Sequence, residues 1–242
     1  MAIPEEGYFS TELASLEKAR NYYAAILKYF TPYLRGEVVE VGAGIGTFSQ
    51  HILKCPQITA LTVIEPATNL FPILVRNLAQ DSKVRYVNGT LQNVASSLSC
   101  DSVVLINVLE HLEDDEETLG SIQQILKPEG TLLLFVPALP WLYGSLDESF
   151  GHFRRYRKLE LDSLLTKVGF QVKLLRYFNI LGILTWFISA RIIRCRSLNP
   201  FTVWIYDRFI MNWMPQLEHK WEPALGQSLL VIATKPLTFP GC

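Results

Sequence analysis

Short, nearly unbroken apolar runs recur at 36–42 (GEVVEVG), 58–65 (ITALTVIE), 101–108 (DSVVLINV) and 130–137 (GTLLLFVP). Each has the length of a strand, and the lack of polar alternation predicts burial on both faces, as in a parallel sheet covered by helices. Three further strand signals lie at 83–87, 170–177 and 227–235. Between them the apolar period becomes helical. Leu13, Leu16, Ala19, Tyr23 and Ile26 share one helical face, behind Ser10 or Thr11 as cap and Glu12 and Glu17 near the first turns, and that helix ends before Pro32. Helices are also predicted at 47–53, at 67–79 with Pro72 in its first turns or kinking it, at 115–126 behind an acidic start, at 159–168 stopping at Gly169, at 180–195 and at 201–213. Alternation of strand and helix predicts one doubly wound α/β domain over 1–242, with a helical cap at 1–35 and a core at 36–137. Inserts at 138–157 and 178–225 belong over the carboxyl ends of the strands, where open α/β sheets bind ligands.

Composition narrows the function classes. Of 242 residues, 49% are hydrophobic and 12% aromatic, which argues against disorder. A net charge of −1 leaves no broad electrostatic footprint for nucleic acid, so no nucleic-acid partner is expected. Cys55, Cys100, Cys195 and Cys242 have no metal-pair or disulfide-framework spacing, and Met1 to Tyr8 carries Glu5 and Glu6 rather than an apolar leader. A reducing cytoplasm fits best. One stretch, YFNILGILTWFISA, has fourteen residues without a charge. A membrane span needs about 20, so 177–196 suits a core or lid helix, or one resting on a membrane surface.

The chemistry begins at VVEVGAGIGTF (38–48). Gly42, Gly44 and Gly46 follow the first strand directly, so a ligand can approach the main chain and the N–H groups of the next helix. Glu65 ends the second strand, beside the glycines in a doubly wound sheet, where a carboxylate can accept hydrogen bonds from a ribose diol. Dinucleotide sites read G-x-G-x-x-G, but here Thr47 holds the third-glycine place, and Glu40 would repel a pyrophosphate while suiting an ammonium group. S-adenosylmethionine, with a ribose, a sulfonium and an amino-acid tail, fits both carboxylates.

With EVGAGIG, VIEPA, NVLEHLEDDEETL and LKPEGTLLLFVPA, residues 36–137 resemble the class I S-adenosylmethionine-dependent methyltransferases, in the broad subgroup of ubiquinone-biosynthesis-type enzymes. The resemblance implies a Rossmann-like, mostly parallel seven-stranded sheet, with QSLLVIATK as its reversed last strand. It also implies that Gly42, Gly44 and Gly46 line the methionine and ribose side. Glu40 would hold the amino group, directly or through water, and Glu65 the ribose. Asn107 and Val108 would lie near the sulfonium. Where many relatives have an aspartate for the adenine, this chain has Thr90, so Thr90 and the Leu91 backbone must serve.

Methyl transfer is an in-line displacement that needs alignment more than acid–base help, and a base only where the nucleophile must lose a proton. His111, His152 and Tyr156 are the candidate bases. Trp141, Tyr143, Arg154 and Arg155 are candidates for the acceptor pocket, the arginines for an anionic group. The same arginines could instead pair locally with Asp147 or Glu148. The expected function is methyl transfer to a small molecule, leaning to oxygen on an apolar or lipid-like acceptor. The alternatives are methylation of a protein or RNA, and a non-catalytic cofactor-binding subunit. A nicotinamide oxidoreductase is disfavoured by the glycine spacing.

Overall fold

The computed structural model describes residues 18–79 and 81–237. Its sheet has seven strands: β1 (Gly36–Val41), β2 (Ile58–Glu65), β3 (Val84–Asn88), β4 (Cys100–Ile106), β5 (Leu126–Pro137), β6 (Gln171–Phe178) and β7 (Ser228–Thr234). They lie in the order β3-β2-β1-β4-β5-β7-β6. The pairs from β3 to β5 are parallel, and β7 runs antiparallel between β5 and β6. The expected architecture, reversed last strand included, is what the chain adopts.

Successive residues of the central strands enter opposite cores, which is why no polar alternation marks them. Val103, Leu105, Leu132 and Leu134 join one core, while Val104, Leu133 and Phe135 join the other. Each such side chain contributes about 1.5–3 kcal/mol of transfer free energy. Helices α1 (Arg20–Phe30), α2 (Thr47–Ile52) and α3 (Phe71–Leu78) cover the face of the second group. A four-residue turn, α4 (Leu91–Val94), follows β3. Helix α5 (Asp115–Ile125) and α7 (Lys158–Val168) cover the other face, and α6 (Ser145–Phe150) lies in the connection after β5.

The first predicted helix is seen from Arg20; its residues 10–17 lie outside the described residues. Pro72 sits in the first turn of α3, where its missing N–H costs nothing. The insert after β6 departs more from expectation. Helix α8 (Ile180–Trp186) runs on as a π-helical segment over Phe187–Ile192, and α9 (Pro200–Phe209) is followed by a third helix, α10 (Met214–Lys220). Two buried acids fasten this insert to the core. Asp207 of α9 accepts the N–H groups of Asn21 (3.1 Å) and Tyr22 (2.8 Å), capping α1 from another part of the chain. Glu218 of α10 accepts the N–H groups of Asn179 (2.9 Å) and Ile180 (2.8 Å), capping α8. Both acids lie where a helix N-terminus favours negative charge. Asp207→Ala removes the acceptor of two partly buried N–H groups, a loss of about 2 kcal/mol, and is expected to lower the melting temperature by about 4–8 °C in a thermal scan.

Candidate active site

The loop between β1 and α2 is shaped by backbone that a side chain would resist. Gly42, Gly44 and Gly46 all have positive φ, at 70°, 56° and 87°. A Cβ on Gly42 would stand 2.5 Å from Val108, so the loop and the β4 turn close on one another only with glycine there. Gly42 and Gly44 line a cleft at the carboxyl ends of β1, β2 and β4; Gly46 does not, and a Cβ on it would meet Leu74 and Leu78 of α3 at 3.0–3.2 Å. Its freedom serves helix packing.

Glu65 holds the cleft open. Its carboxylate accepts the Gly44 N–H at 2.7 Å and the Ala67 N–H at 2.8 Å, joining the two loops that flank the opening. Burial pushes this carboxyl up, against the pull of those two N–H groups. Glu40 lies beneath the loop rather than on its surface, accepting the Ser49 hydroxyl at 2.5 Å, and burial raises its carboxyl to about 8 despite that bond. A buried acid in this position is a natural partner for an ammonium group brought near it. Across the cleft, Gly89, Thr90, Leu91 and Gln92 form the far wall. The Thr90 hydroxyl donates to Asn93 at 2.7 Å, so its proton is committed locally. Asn107, Val108, His111 and Leu112 form the third side, and Tyr23 of α1 leans in from above.

A second cavity, of about 410 Å³, meets the cleft at Asn107, which lines both. Asn107 has φ 52°, a left-handed conformation that asparagine tolerates better than most residues. This chamber lies over the ends of β5 and β6 and draws on both inserts, through Leu146, His152 and Arg155 and through α8 and α9. Tyr22 lines the chamber where Tyr23 lines the cleft, so consecutive residues of α1 serve the two cavities.

Asp147, fully buried, organises the chamber wall. It accepts from His152 Nδ1 (2.9 Å), Arg155 Nε (2.7 Å), Trp186 Nε1 (3.2 Å) and the Gly144 N–H (3.0 Å). Burial alone would raise its carboxyl, but the His152 hydrogen bond and the Arg155 charge outweigh it and hold Asp147 below the usual range. An acceptor carboxylate at Asp147 makes Nδ1 the donor nitrogen of His152 and leaves Nε2 as the acceptor, 4.0 Å from a Glu110 oxygen. Glu110, His111 and His152 each bring a ligand-type atom to within 4.8 Å of the others, the set among the described residues whose spacing could hold a metal ion.

Not every predicted site residue reaches a cavity. The Tyr156 hydroxyl donates within the core to Leu109 O (3.2 Å) and Asp115 (3.0 Å); burial and then the Asp115 charge raise it well above an ordinary phenol. Arg154 pairs with Asp115 at 3.0 Å and donates to Glu113 O. Trp141 stands exposed against Phe187. The Tyr143 hydroxyl donates to His152 O at 2.7 Å, which supports the chamber from behind. Arg155 does line the chamber but is engaged by Asp147 and stacked on Trp186 at 4.6 Å. Trp186 and Tyr206, aromatic residues of the insert that the sequence offers either as acceptor-pocket lining or as core, do line the chamber. The sequence pattern did not single out Asn179, which caps α8 and accepts the Tyr206 hydroxyl there.

Residues 15–175 match a family model described as a methyltransferase domain. The chain belongs to that family. It is a class I S-adenosylmethionine-dependent methyltransferase, with S-adenosylmethionine as its cofactor. It is 21% identical over 175 residues to a ubiquinone biosynthesis O-methyltransferase of Rickettsia canadensis, an alignment covering 66% of this chain and 70% of that one. It is 25% identical over 118 residues to a malonyl-[acyl-carrier protein] O-methyltransferase of Halalkalibacterium halodurans, covering 47% of this chain and 43% of the other. A methyltransferase of Haloferax volcanii, solved in complex with the Trm112 methyltransferase activator, superposes with a TM-score of 0.62 at 16% identity, covering 93% and 92% of the two chains. The N-methyltransferase NodS of Bradyrhizobium japonicum, solved with S-adenosylhomocysteine, gives 0.59 at 14% identity over 90% and 87%. At these identities the structural likeness speaks for the fold.

The raised Glu40 carboxyl carries a sign. Its proton is held in the fold up to about 8, against an ordinary glutamate value of 4.5, so the contribution of Glu40 to stability is lost as pH rises across that window. Glu40→Gln removes the change, and the stability of wild type relative to the variant, measured by urea unfolding without cofactor, is expected to decline from pH 5 towards pH 8. A difference that rises with pH contradicts the assignment.

Proposed function

We propose that this methyltransferase moves the methyl group of S-adenosylmethionine to an oxygen atom of a small apolar or lipid-like molecule held in the chamber beyond Asn107. The observation that carries this reading is the junction of the two cavities at Asn107. A methyl donor in the cleft, with its ribose on Glu65 and its amino group towards Glu40, presents its sulfonium to the chamber there. Thr90 and the Leu91 backbone then face the adenine, and Val108 closes the methionine side. Gly42 and Gly44 admit the cofactor to the main chain.

The chamber suits an apolar body with one polar end. Trp186, Val203, Met211 and Leu146 supply apolar wall, and Asn179, Thr202 and Tyr206 supply hydrogen-bonding groups. Such a site buries its ligand on apolar surface and orients it with few polar contacts.

A hydroxyl nucleophile must lose a proton, whereas a carboxylate need not, and for a hydroxyl His152 is the base that the geometry favours. It lines the chamber, and the Asp147 bond on Nδ1 leaves Nε2 as the acceptor nitrogen. His111 is a poorer base, since burial and the neighbouring His152 push its imidazole down to about 3. Tyr156 is spent on Asp115. Arg155, held by Asp147, acts on His152 through that shared carboxylate.

The test is an acceptor screen with isotopically labelled methyl donor, spanning alkylated phenols, fatty-acyl carboxylates, a hydrophilic peptide and an RNA. Turnover is expected with the apolar hydroxyl or carboxyl acceptors, and with a hydroxyl acceptor His152→Ala is expected to lower kcat about 10²–10⁴-fold with S-adenosylhomocysteine affinity unchanged. Turnover of the peptide or RNA alone contradicts the proposal.

A further inference from the structure

The helices that wall the chamber have a second apolar face. Thr185 and Trp186 of α8, Ser189 of its π-helical continuation, and Val203 and Tyr206 of α9 turn inward to the chamber. Outward, the same insert carries fourteen of the nineteen large apolar side chains that stand exposed among the described residues, all between Leu181 and Leu225. Several are mostly bare: Leu184 is 60% exposed, Ile192 64%, Phe201 66% and Phe209 62%. Single exposed apolar residues need no explanation, but a concentration of them in one element marks a surface that something covers. A helix that is apolar on both faces belongs in an interior or at a bilayer.

The charges on this insert identify the cover. Its exposed cations are Arg191, Arg194, Arg196, Arg208 and Lys220. Its one exposed acid, Glu222, pairs with Lys158 at 3.2 Å. The other two acids, Asp207 and Glu218, are buried on the N-termini of α1 and α8. The outer face is therefore strongly cationic on a chain whose net charge is −1. Arg191, Arg194 and Arg196 surround a depression shared with Ser145 and Glu148, and the turn that bears them separates this depression from the chamber. A two-fold contact between copies would bring these cations against one another, since such an interface uses the same patch twice.

We propose that α8, α9 and α10 form a docking face for an anionic phospholipid bilayer. The exposed leucine, isoleucine and phenylalanine side chains enter the acyl boundary, Trp204, Trp213 and Trp221 lie at the headgroup level, and the arginine depression meets lipid phosphates. The acceptor reaches the chamber from the bilayer through the wall that α8 and α9 make. No helix among the described residues is long and apolar enough to cross a membrane, so the contact is on the surface. The role of the bilayer as source of acceptor rests on the proposed function; the docking itself does not.

Flotation of the purified full chain with vesicles tests it, comparing phosphatidylcholine alone with phosphatidylcholine containing about 30% phosphatidylglycerol, at low and high salt. Binding is expected to the anionic vesicles, with a blue shift of tryptophan emission. Raising the salt, or changing Arg191→Glu, Arg194→Glu and Arg196→Glu together, is expected to weaken it at least about tenfold. Phe209→Asp, which leaves the arginines in place, is expected to weaken it too. S-adenosylhomocysteine calorimetry confirms that each variant is folded. Absence of binding, indifference to lipid charge, or a tryptophan shift that follows self-association without lipid overturns the proposal. Flotation without turnover of any apolar acceptor would count against the proposed function instead, and turnover of soluble acceptors without flotation against the docking alone.

Discussion

The site depends on one buried carboxylate. Glu65 accepts the N–H of Gly44 on one side and of Ala67 on the other, at 2.7 and 2.8 Å. Those two bonds tie the loop after β1 to the turn after β2 and keep the glycines at positive φ with their backbone towards the cleft. Burying a carboxylate is costly unless its oxygens are satisfied, and here the fold supplies the donors. The parallel register sets up the arrangement: β1 and β2 end side by side, with Val41 opposite Ile64, so the acid at the end of β2 arrives beside the loop that leaves β1. Residues of β4 close the third side, because β4 is the other neighbour of β1.

The second cavity is built by different means. Its wall comes from segments far apart in the chain, and buried acids join them. Asp147 gathers His152, Arg155, Trp186 and Gly144 onto one side chain, while Asp207 and Glu218 bring α9 and α10 onto the starts of α1 and α8. Each acid answers donors that would otherwise be buried without partners. The result is a chamber whose inner surface, outer surface and attachment to the core are coupled. The residue that separates cleft from chamber, Asn107, belongs to the core and not to the insert, so the place where donor and acceptor meet is set by the sheet.

The core was legible because its information is local. An unbroken apolar run says strand, its burial on two sides says parallel sheet, and glycines followed by a strand-end acid say which end carries the ligand. The fine structure of the loop was not: Gly46 reads like its two companions, yet it serves the packing of α3, and Glu40 lies below the cleft with Ser49 rather than on its rim. Residues 151–160, GHFRRYRKLE, are dense with chemistry, but sequence could not sort them. His152 and Arg155 turn to the chamber on the nearby Asp147, the local pairing that the sequence offered for the arginines, while Arg154 and Tyr156 turn to Asp115, which is far away in the chain. In the insert, the apolar pattern fits a core helix and a surface helix equally. Only the assembled fold shows that α8 and α9 present apolar side chains on both sides.

The central claim is that donor and acceptor meet at Asn107. A crystal structure of the chain with S-adenosylhomocysteine tests it most directly. The account predicts the ribose on Glu65, the adenine against Thr90 and Leu91, and the sulfur in contact with Asn107 and open to the chamber. A ribose held elsewhere, or a sulfur facing away from the chamber, would contradict it.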